Sequence, residues 1–217
     1  MRMSRNVKLS GLFSISIIVI VILVLVSGNR ELAPELSEAN KNLVMQPNTH
    51  ILQDAGDGAP VLVEFLDFEC EACGAFYPYI EELKREFAGE ITFAFRYFPL
   101  PGHSNAINSA LAVEAAAQQG KLREMFGLMF ETQSLWGESR ESKAEIFRSY
   151  AERLGLDMVK FDAAIVDPNT LQRITTDSDA GIEIGVRATP TFFLNGNLLT
   201  LNSFDDVRKT ILAELGK

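Results

Sequence analysis

Hydrophobic and polar positions divide this chain into an apolar N-terminal run and a longer region of mixed patterns. The uncharged run extends from Leu9 to Asn29, and no polar face interrupts its Ile, Val and Leu residues. A helix over residues 9–26 would be about 27 Å long, close to the ~30 Å hydrocarbon core of a bilayer. The pattern therefore predicts a transmembrane helix within residues 1–30.

Three basic residues, Arg2, Arg5 and Lys8, precede this apolar run. Because positive charges favour the cytoplasmic side, they predict a single-pass protein of the cell membrane whose remaining chain lies in the periplasm or on the outer face. A cleaved secretory signal is the alternative, since VSG at residues 26–28 resembles a cleavage site. The run is longer than a usual signal core, so we favour an uncleaved anchor over a cleaved, secreted form. Both interpretations place the rest of the chain in an oxidising compartment.

Beyond the apolar run, the chain alternates between strand and helix patterns. Polar residues 31–48 predict a linker, and a short strand is expected at 49–53. Residues 61–68 form a nearly continuous apolar run, which is typical of a buried strand. Residues 71–88 have a helical pattern, and the alternating, aromatic-rich residues 91–98 predict another strand.

The following stretch has no strand signal and predicts about five helices between residues 103 and 185. Strand signals return in TPTFFLNGNLLTL at residues 189–201, around an Asn195–Gly196 turn. Ser203 then has the position of an N-cap for a final helix. This order of elements predicts an α/β sheet domain over residues 49–217 with an all-helical insertion.

Composition supports a globular domain and excludes one class of partner. With 47% hydrophobic residues, the chain can build a core without disulfide staples, so its two cysteines are poor candidates for scaffolding. All 29 acidic residues lie after residue 30, whereas four of the 20 basic residues lie before residue 31. Because no basic patch is present, we expect no nucleic-acid partner.

The two cysteines, Cys70 and Cys73, follow the predicted buried strand at the point where a helix begins. Unpaired N–H groups and the helix dipole at that position stabilise a thiolate. Cysteines in such Cys-X-X-Cys pairs have pKa values of about 3.5–7.5, against ~8.5 for a free thiol. Cys73 lies one turn further along the same helix face and is expected to be less exposed. We therefore predict that Cys70 is the attacking sulfur and Cys73 the resolving one.

Acidic residues surround this pair. Glu64 lies on the predicted buried strand, where a carboxylate is costly unless it has a role or a partner. We predict that it shuttles the proton of the second cysteine; a glutamate that reaches solvent is the alternative. Asp67, Glu69 and Glu71 would raise the pKa of the first cysteine by like-charge repulsion, although they also suit a helix N-terminus. We expect partial cancellation, and weaker activation than in motifs with a histidine between the cysteines.

Zinc binding and hydrolysis are the rival chemistries. A structural zinc site needs about four ligands, and the only other soft ligands are His50 and His103, far apart in sequence. We interpret His103 as a loop or capping residue and His50 as a surface or strand residue. A Cys-His hydrolase would need one reactive cysteine near His103, and the paired cysteines argue against it. We expect no metal and no organic cofactor.

Three segments together resemble DsbA-like thiol–disulfide oxidoreductases of the thioredoxin superfamily. They are VLVEFLDFECEACGAFYP (61–78), RYFPLPGHSNAINSALAVEAAAQQGK (96–121) and GVRATPTFFLNG (185–196). The resemblance covers residues 49–217. It implies a thioredoxin-like α/β fold with an all-helical insertion at about residues 103–185, preceded by the N-terminal transmembrane helix.

The resemblance also implies roles for individual residues. The third segment is similar to the loop that carries a cis-proline opposite the disulfide. This similarity implies a cis bond before Pro190 and a Thr189 backbone that pairs with an extended substrate; an ordinary strand entry is the alternative. The residues between the cysteines, Glu71 and Ala72, differ from the Pro-His pair of the best-known oxidases. We therefore regard Glu71 and Ala72 as residues that tune the redox potential.

The implied function is disulfide formation in secreted proteins by a membrane-tethered, extracytoplasmic enzyme. Its partners would be reduced or unfolded secreted proteins and a membrane thiol oxidase, or reductase, that resets the Cys70–Cys73 pair. A reductase or isomerase of the same fold is one alternative. Isomerases of this superfamily usually carry an N-terminal dimerisation module, for which the predicted linker is too short. A non-catalytic chaperone or binding domain with a structural disulfide is the other alternative.

Overall fold

The computed structural model describes residues 37–217. The predicted transmembrane segment, residues 1–30, lies outside the described residues, as does the first part of the predicted linker. Within the described part of the chain, no helix is long and apolar enough to cross a membrane. The elements in chain order are α1 (Glu38–Val44), β1 (His50–Gln53), β2 (Val61–Leu66), α2 (Glu71–Glu86), β3 (Thr92–Tyr97), α3 (Ala106–Ala117), α4 (Leu122–Glu131), a short 3₁₀ helix (Gln133–Leu135), α5 (Ala144–Arg153), α6 (Met158–Ala164), α7 (Pro168–Glu183), β4 (Thr191–Leu194), β5 (Asn197–Leu198) and α8 (Asp205–Glu214).

The strands form one mixed sheet in the order β1–β3–β2–β4–β5. β2 and β3 are parallel, and the other three pairs of neighbouring strands are antiparallel. β2 is therefore the central strand, and its side chains alternate between two covered faces. Burial on both faces explains why its sequence is a nearly continuous apolar run instead of an alternating one.

Apolar side chains of the sheet pack against helices that lie between its strands and after them in the chain. On one face, Leu62 and Phe192 join α2 and α8 in a buried cluster that includes Leu83 and Ile211. The predicted strand at 61–68 thus corresponds to β2, and the predicted helix at 71–88 corresponds to α2. The cysteines lie where these two elements meet.

Five α-helices, α3 to α7, lie in the chain between β3 and β4, as the sequence pattern predicts. Apolar residues of α4 pack against the end of the central strand: the rings of Phe126 and Phe130 lie 5.5 Å and 5.0 Å from the ring of Phe68. The described part of the chain therefore has a thioredoxin-like α/β fold with additional helices, and α4 contacts the segment that carries the cysteines.

The predicted linker contains a helix that sequence analysis missed. Helix α1 begins after Ser37, whose hydroxyl accepts the Asn40 N–H at 3.3 Å. Val44, at the end of α1, is buried against the sheet. This segment is mostly polar, so its helix depends on contacts with distant residues that a local pattern does not reveal.

The prediction that Ser203 caps the final helix is wrong. Phe204 is the N-cap residue of α8, and no side chain caps the helix there. The Ser203 N–H instead donates to the Asp206 carboxylate at 2.8 Å. Asp206, in the first turn of α8, satisfies backbone donors from within the helix, so a serine hydroxyl at the start is not required.

Candidate active site

The cysteine pair lies where the central strand ends and α2 begins. β2 ends at Leu66, and the backbone then turns so that the Cys70 N–H donates to the Asp67 carbonyl at 3.1 Å. Cys70 is the N-cap residue of α2, and Cys73 lies in its first turn. Both are free thiols, with exposed fractions of 6% for Cys70 and 1% for Cys73. Cys70 is therefore the more accessible sulfur.

The surroundings of Cys70 favour its thiolate. A hydrogen bond from the Cys73 thiol is the largest cause of a pKa that is lowered to about 5, and burial of Cys70 opposes it. The Thr189 side chain and the N–H groups of Cys73 and Ala72 lower this pKa further. The helix amides thus contribute, as the sequence suggests, but the second cysteine contributes more.

The surroundings of Cys73 favour its neutral thiol over its thiolate. Burial raises its pKa well above the ordinary value, and the hydrogen bond to Cys70 and the charges of Glu64 and Cys70 raise it further. At neutral pH one sulfur of the pair is therefore a thiolate and the other a thiol. This asymmetry provides a nucleophile together with the hydrogen-bond donor that stabilises it.

Glu64 lies in the middle of the central strand, opposite Phe95 on β3 and Phe192 on β4. Its side chain is only 7% exposed. Burial raises the pKa of Glu64 to about 8, and the charge of Cys70 contributes to the rise. A carboxyl group with this pKa exchanges protons near neutral pH, which suits the predicted role as a proton shuttle.

The loop before β4 contacts Cys70. The Thr189–Pro190 peptide bond is cis, and the Cys70 thiol donates to the Thr189 carbonyl at 3.3 Å. In this thiol state the buried Thr189 hydroxyl has no hydrogen-bond partner among residues 37–217, although it is one cause of the lowered pKa of Cys70. The two facts agree if the hydroxyl hydrogen, which can rotate, turns toward the sulfur when the thiolate forms.

Two of the acids near the cysteines have hydrogen-bond partners of their own. The Asp67 carboxylate is fully buried and accepts the backbone N–H groups of Glu69 and Leu100, both at 2.8 Å. Glu69 accepts the Asn105 N–H at 2.5 Å. The predicted like-charge repulsion is not among the main causes of the Cys70 shift. These carboxylates shape the active-site turn through backbone contacts.

The residues between the cysteines are both exposed. The pKa of Glu71 is lowered first by its backbone N–H, then by a hydrogen bond with Glu138, and also by the charge of His103. Glu71 and Glu138 line a cleft of about 330 Å³ beside the pair. The Ala72 N–H lowers the pKa of Cys70. Both residues therefore adjoin the reactive sulfur, and their effect on the redox potential stays a prediction.

Gln133, which lies in the 3₁₀ helix after α4, was not predicted as a site residue. Its side-chain amide donates to the carbonyls of Phe68 and Cys70 at 2.7 Å and 2.8 Å. Gly74 leaves room for this side chain, because a Cβ at that position would lie 2.0 Å from Gln133 Oε1. A glycine inside a helix, directly after Cys73, was the available signal. It indicates a close contact but does not identify the partner.

The two histidines lie in separate environments. His103, in the loop after β3, has Nδ1 2.7 Å from Asp67 Oδ2. His50 begins β1, has Nε2 2.6 Å from Glu114 Oε2, and stacks on Phe95. The interpretation of His103 as a loop residue is correct for its position but overlooks its contact with the active-site turn.

A family model described as thioredoxin matches residues 54–213, which is most of the chain. The chain therefore belongs to the thioredoxin family. Oxidised BdbD from Bacillus subtilis superposes with a TM-score of 0.68 at 20% identity, covering 78% of this chain and 94% of that one. The thiol-disulfide exchange protein α-DsbA2 from Wolbachia pipientis gives 0.67 at 22% identity, covering 82% and 92%. The chain therefore shares its fold with these two proteins, which agrees with the resemblance that its sequence motifs show.

Sequence relatives include segments of larger proteins. The Na⁺/H⁺ antiporter NhaA 1 of Mycolicibacterium vanbaalenii is 33% identical over 157 residues, which are 70% of this chain and 24% of the antiporter. The antiporter NhaA 3 of Salinispora tropica is 41% identical over 140 residues, which are 64% and 20%. The chain thus spans about a quarter, or less, of the length of these relatives.

Proposed function

We propose that this chain is a thiol–disulfide oxidoreductase that forms disulfide bonds in secreted proteins. The asymmetry of the pair carries the proposal: the pKa of Cys70 is lowered to about 5, while that of Cys73 is raised. Stabilising the Cys70 thiolate stabilises the reduced pair. A disulfide with a stabilised reduced form accepts electrons readily and is therefore a strong oxidant.

The proposed reaction starts from a Cys70–Cys73 disulfide. A substrate thiolate attacks Cys70 Sγ, the substrate–Cys70 bond forms, and Cys73 leaves with the electron pair of the broken S–S bond. Glu64, protonated near neutral pH because its pKa is about 8, donates a proton to Cys73. A second substrate thiolate then attacks the substrate sulfur and releases Cys70 as a thiolate. The substrate loses two electrons and the pair gains them.

The site also offers a place for an extended substrate. The Thr189 carbonyl oxygen lies 3.3 Å from Cys70 Sγ, so a chain that pairs with this backbone lies next to the reactive sulfur. A reduced, unfolded secreted protein has the exposed thiols and free backbone groups that such a contact requires. Repeated turnover then requires a membrane thiol oxidase that removes two electrons from the reduced pair.

Equilibration of the purified full chain with glutathione buffers tests the redox direction. We expect a reduction potential above about −200 mV, the range of disulfide-forming proteins. A value near −270 mV would favour the reductase alternative, and a value below about −300 mV would indicate an inert structural disulfide. Oxidation of reduced, unfolded ribonuclease should accompany the high potential and should be lost in the Cys70→Ser variant.

We also propose that residues 1–30 tether the enzyme to the cell membrane with the catalytic domain outside the cytoplasm. The apolar run from Leu9 to Asn29 and the basic residues before it support this topology. The full chain should stay in the membrane fraction after an alkaline carbonate wash, and protease added outside intact spheroplasts should digest it. Release by carbonate, or protection from protease, would contradict the tether or its orientation.

A further inference from the structure

The active-site segment is rich in acidic residues, yet it holds a stabilised thiolate. Asp67, Glu69 and Glu71 all lie within three residues of Cys70. His103, from the loop that follows β3, is a basic group that interacts with all three of them. The same loop supplies the Leu100 N–H to Asp67, so it packs against the turn that carries the cysteine.

His103 is held firmly on this turn. Its ring Nδ1 lies 2.7 Å from Asp67 Oδ2, and its backbone N–H donates to the Leu100 carbonyl at 3.1 Å. The Asp67 side chain is fully buried, whereas about a quarter of the His103 side chain is exposed. The Asp67 carbonyl in turn accepts the Cys70 N–H. A single residue, Asp67, thus connects the imidazole to the backbone of the reactive cysteine.

The groups that face His103 are predominantly anionic. Asp67 and Glu69 come from the turn after β2, and Cys70 and Glu71 come from the start of α2. Burial alone would lower the pKa of His103, but the hydrogen bond to Asp67 and the charges of Asp67, Cys70 and Glu69 outweigh it and raise that pKa. A histidine in this environment keeps its positive charge to higher pH than an ordinary one.

We propose that His103 is a positioning residue for the redox pair: its imidazolium, seated on Asp67, offsets the acidic residues around Cys70 and favours the thiolate. His103 thereby supplies, from a distant loop, the positive charge that the Glu71–Ala72 pair lacks. The proposal rests on the thiol–disulfide chemistry proposed above. It differs from a purely structural role, because a structural residue would change folding without changing the ionisation of the sulfur.

The test measures Cys70 alkylation by iodoacetamide against pH in the reduced full chain and in His103→Asn. Asparagine keeps a donor near the position of Nδ1 but carries no charge. We expect the midpoint for Cys70 to rise by about one pH unit, with an accompanying shift of about tenfold in the glutathione equilibrium toward the disulfide. Unchanged thermal unfolding would show that the variant retains the fold.

His50→Gln is the matched control, since His50 also contacts a carboxylate, Glu114, at 2.6 Å, but it begins the edge strand β1 and belongs neither to the turn that carries Cys70 nor to the loop that packs against this turn. A wild-type midpoint in His103→Asn, or an equal shift in His50→Gln, would overturn the proposal. An ordinary thiol midpoint in the wild-type chain would instead contradict the proposed function. The two failures are therefore distinguishable.

Discussion

Two carboxylates in this protein, Asp67 and Asp177, are both fully buried, and their partners differ. Asp177 on α7 faces two arginines: Arg96 donates to it at 2.8 Å and 2.5 Å, and Arg173 Nη1 lies 2.6 Å away. Asp67 faces backbone N–H groups and His103. Because arginine stays charged at all relevant pH values and histidine titrates near neutrality, the first cluster is permanently paired while the second has adjustable charge.

The Asp177 and Asp67 clusters also differ in the elements that they join. The Arg96 guanidinium also donates to the Leu43 carbonyl at 2.5 Å and to Gln46 Oε1 at 2.8 Å, so the Asp177 cluster joins β3, α7 and the end of α1. It lies among elements that carry no reactive group. The Asp67 cluster instead ends at the backbone of Cys70. Changes in the two clusters should therefore affect different measurements.

Asp177→Ala should cause the largest loss of stability. It leaves the buried Arg96 guanidinium without its carboxylate, and breaking a buried pair in this way costs about 3–5 kcal/mol. Urea unfolding measures the loss. Asp179→Ala is the matched control, because Asp179 lies on the same helix but is exposed. If both variants unfolded at the same urea concentration, the structural role of the Asp177 cluster would be refuted.

Glu64 is a third buried carboxyl group, and its effect on the free energy of unfolding depends on pH. The folded protein holds a proton on Glu64 up to a pKa of about 8, whereas the unfolded chain releases it near 4.5. The unfolded state thus binds fewer protons in this window, and the free energy of unfolding falls as pH rises from about 4.5 to 8. Glu64→Gln removes this dependence, so the reduced variant should gain up to roughly 4 kcal/mol over wild type at pH 8.

Urea unfolding of wild type and Glu64→Gln at pH 5 and pH 8 measures the difference in their free energies of unfolding. We expect this difference to be small at pH 5. The same variant should exchange disulfides more slowly, by a factor of about 10² or more, because the carboxyl no longer exchanges a proton with Cys73. Equal exchange rates in wild type and Glu64→Gln would remove Glu64 from the mechanism, even if its effect on stability were confirmed.

The smallest expected effect concerns Gln133 and Gly74. Gln133→Ala removes the donor to two carbonyls at the active-site turn and should cost about 1–2 kcal/mol. Gly74→Ala displaces Gln133 but adds helix propensity, so its net cost should be smaller. In the Gln133→Ala background, Gly74→Ala should therefore stabilise by roughly 0.5–1 kcal/mol.

Urea unfolding of the two single variants and the double variant measures the interaction free energy between Gln133 and Gly74. Gln172→Ala serves as the control, because Gln172 is an exposed glutamine on α7 whose amide makes a long contact, 3.4 Å, with the Thr176 hydroxyl. Additive effects of the two substitutions would contradict the direct contact between Gln133 and Gly74.

Local patterns predicted the elements that carry the cysteines. β2, α2 and β3 follow from short-range periodicity, and the position of Cys70 at a helix start follows from the strand that precedes it. Glu64 was identified for the same reason, because one acid in a buried strand is conspicuous. These features depend on neighbours in sequence, so the sequence alone indicates them.

The missed features depend on distant residues. Gln133 is 63 positions from Cys70, and His103 is 36 positions from Asp67, so no local pattern connects either pair. Helix α1 follows the same rule, because Arg96 on β3 binds the Leu43 carbonyl near its end. The hydrogen bond from Cys73 to Cys70 was also undervalued, since its importance depends on burial of both sulfurs. Each of these features depends on tertiary packing, which the local sequence pattern does not reveal.

The ionisation of Cys70 in the reduced wild-type chain tests the account most directly. The rate of its modification by iodoacetamide, measured against pH and assigned to Cys70 by mass spectrometry, should rise with a midpoint at about pH 5. Cys73 should stay unmodified across this range, because its pKa is raised. A midpoint of ~8.5, as for a free thiol, would contradict the account.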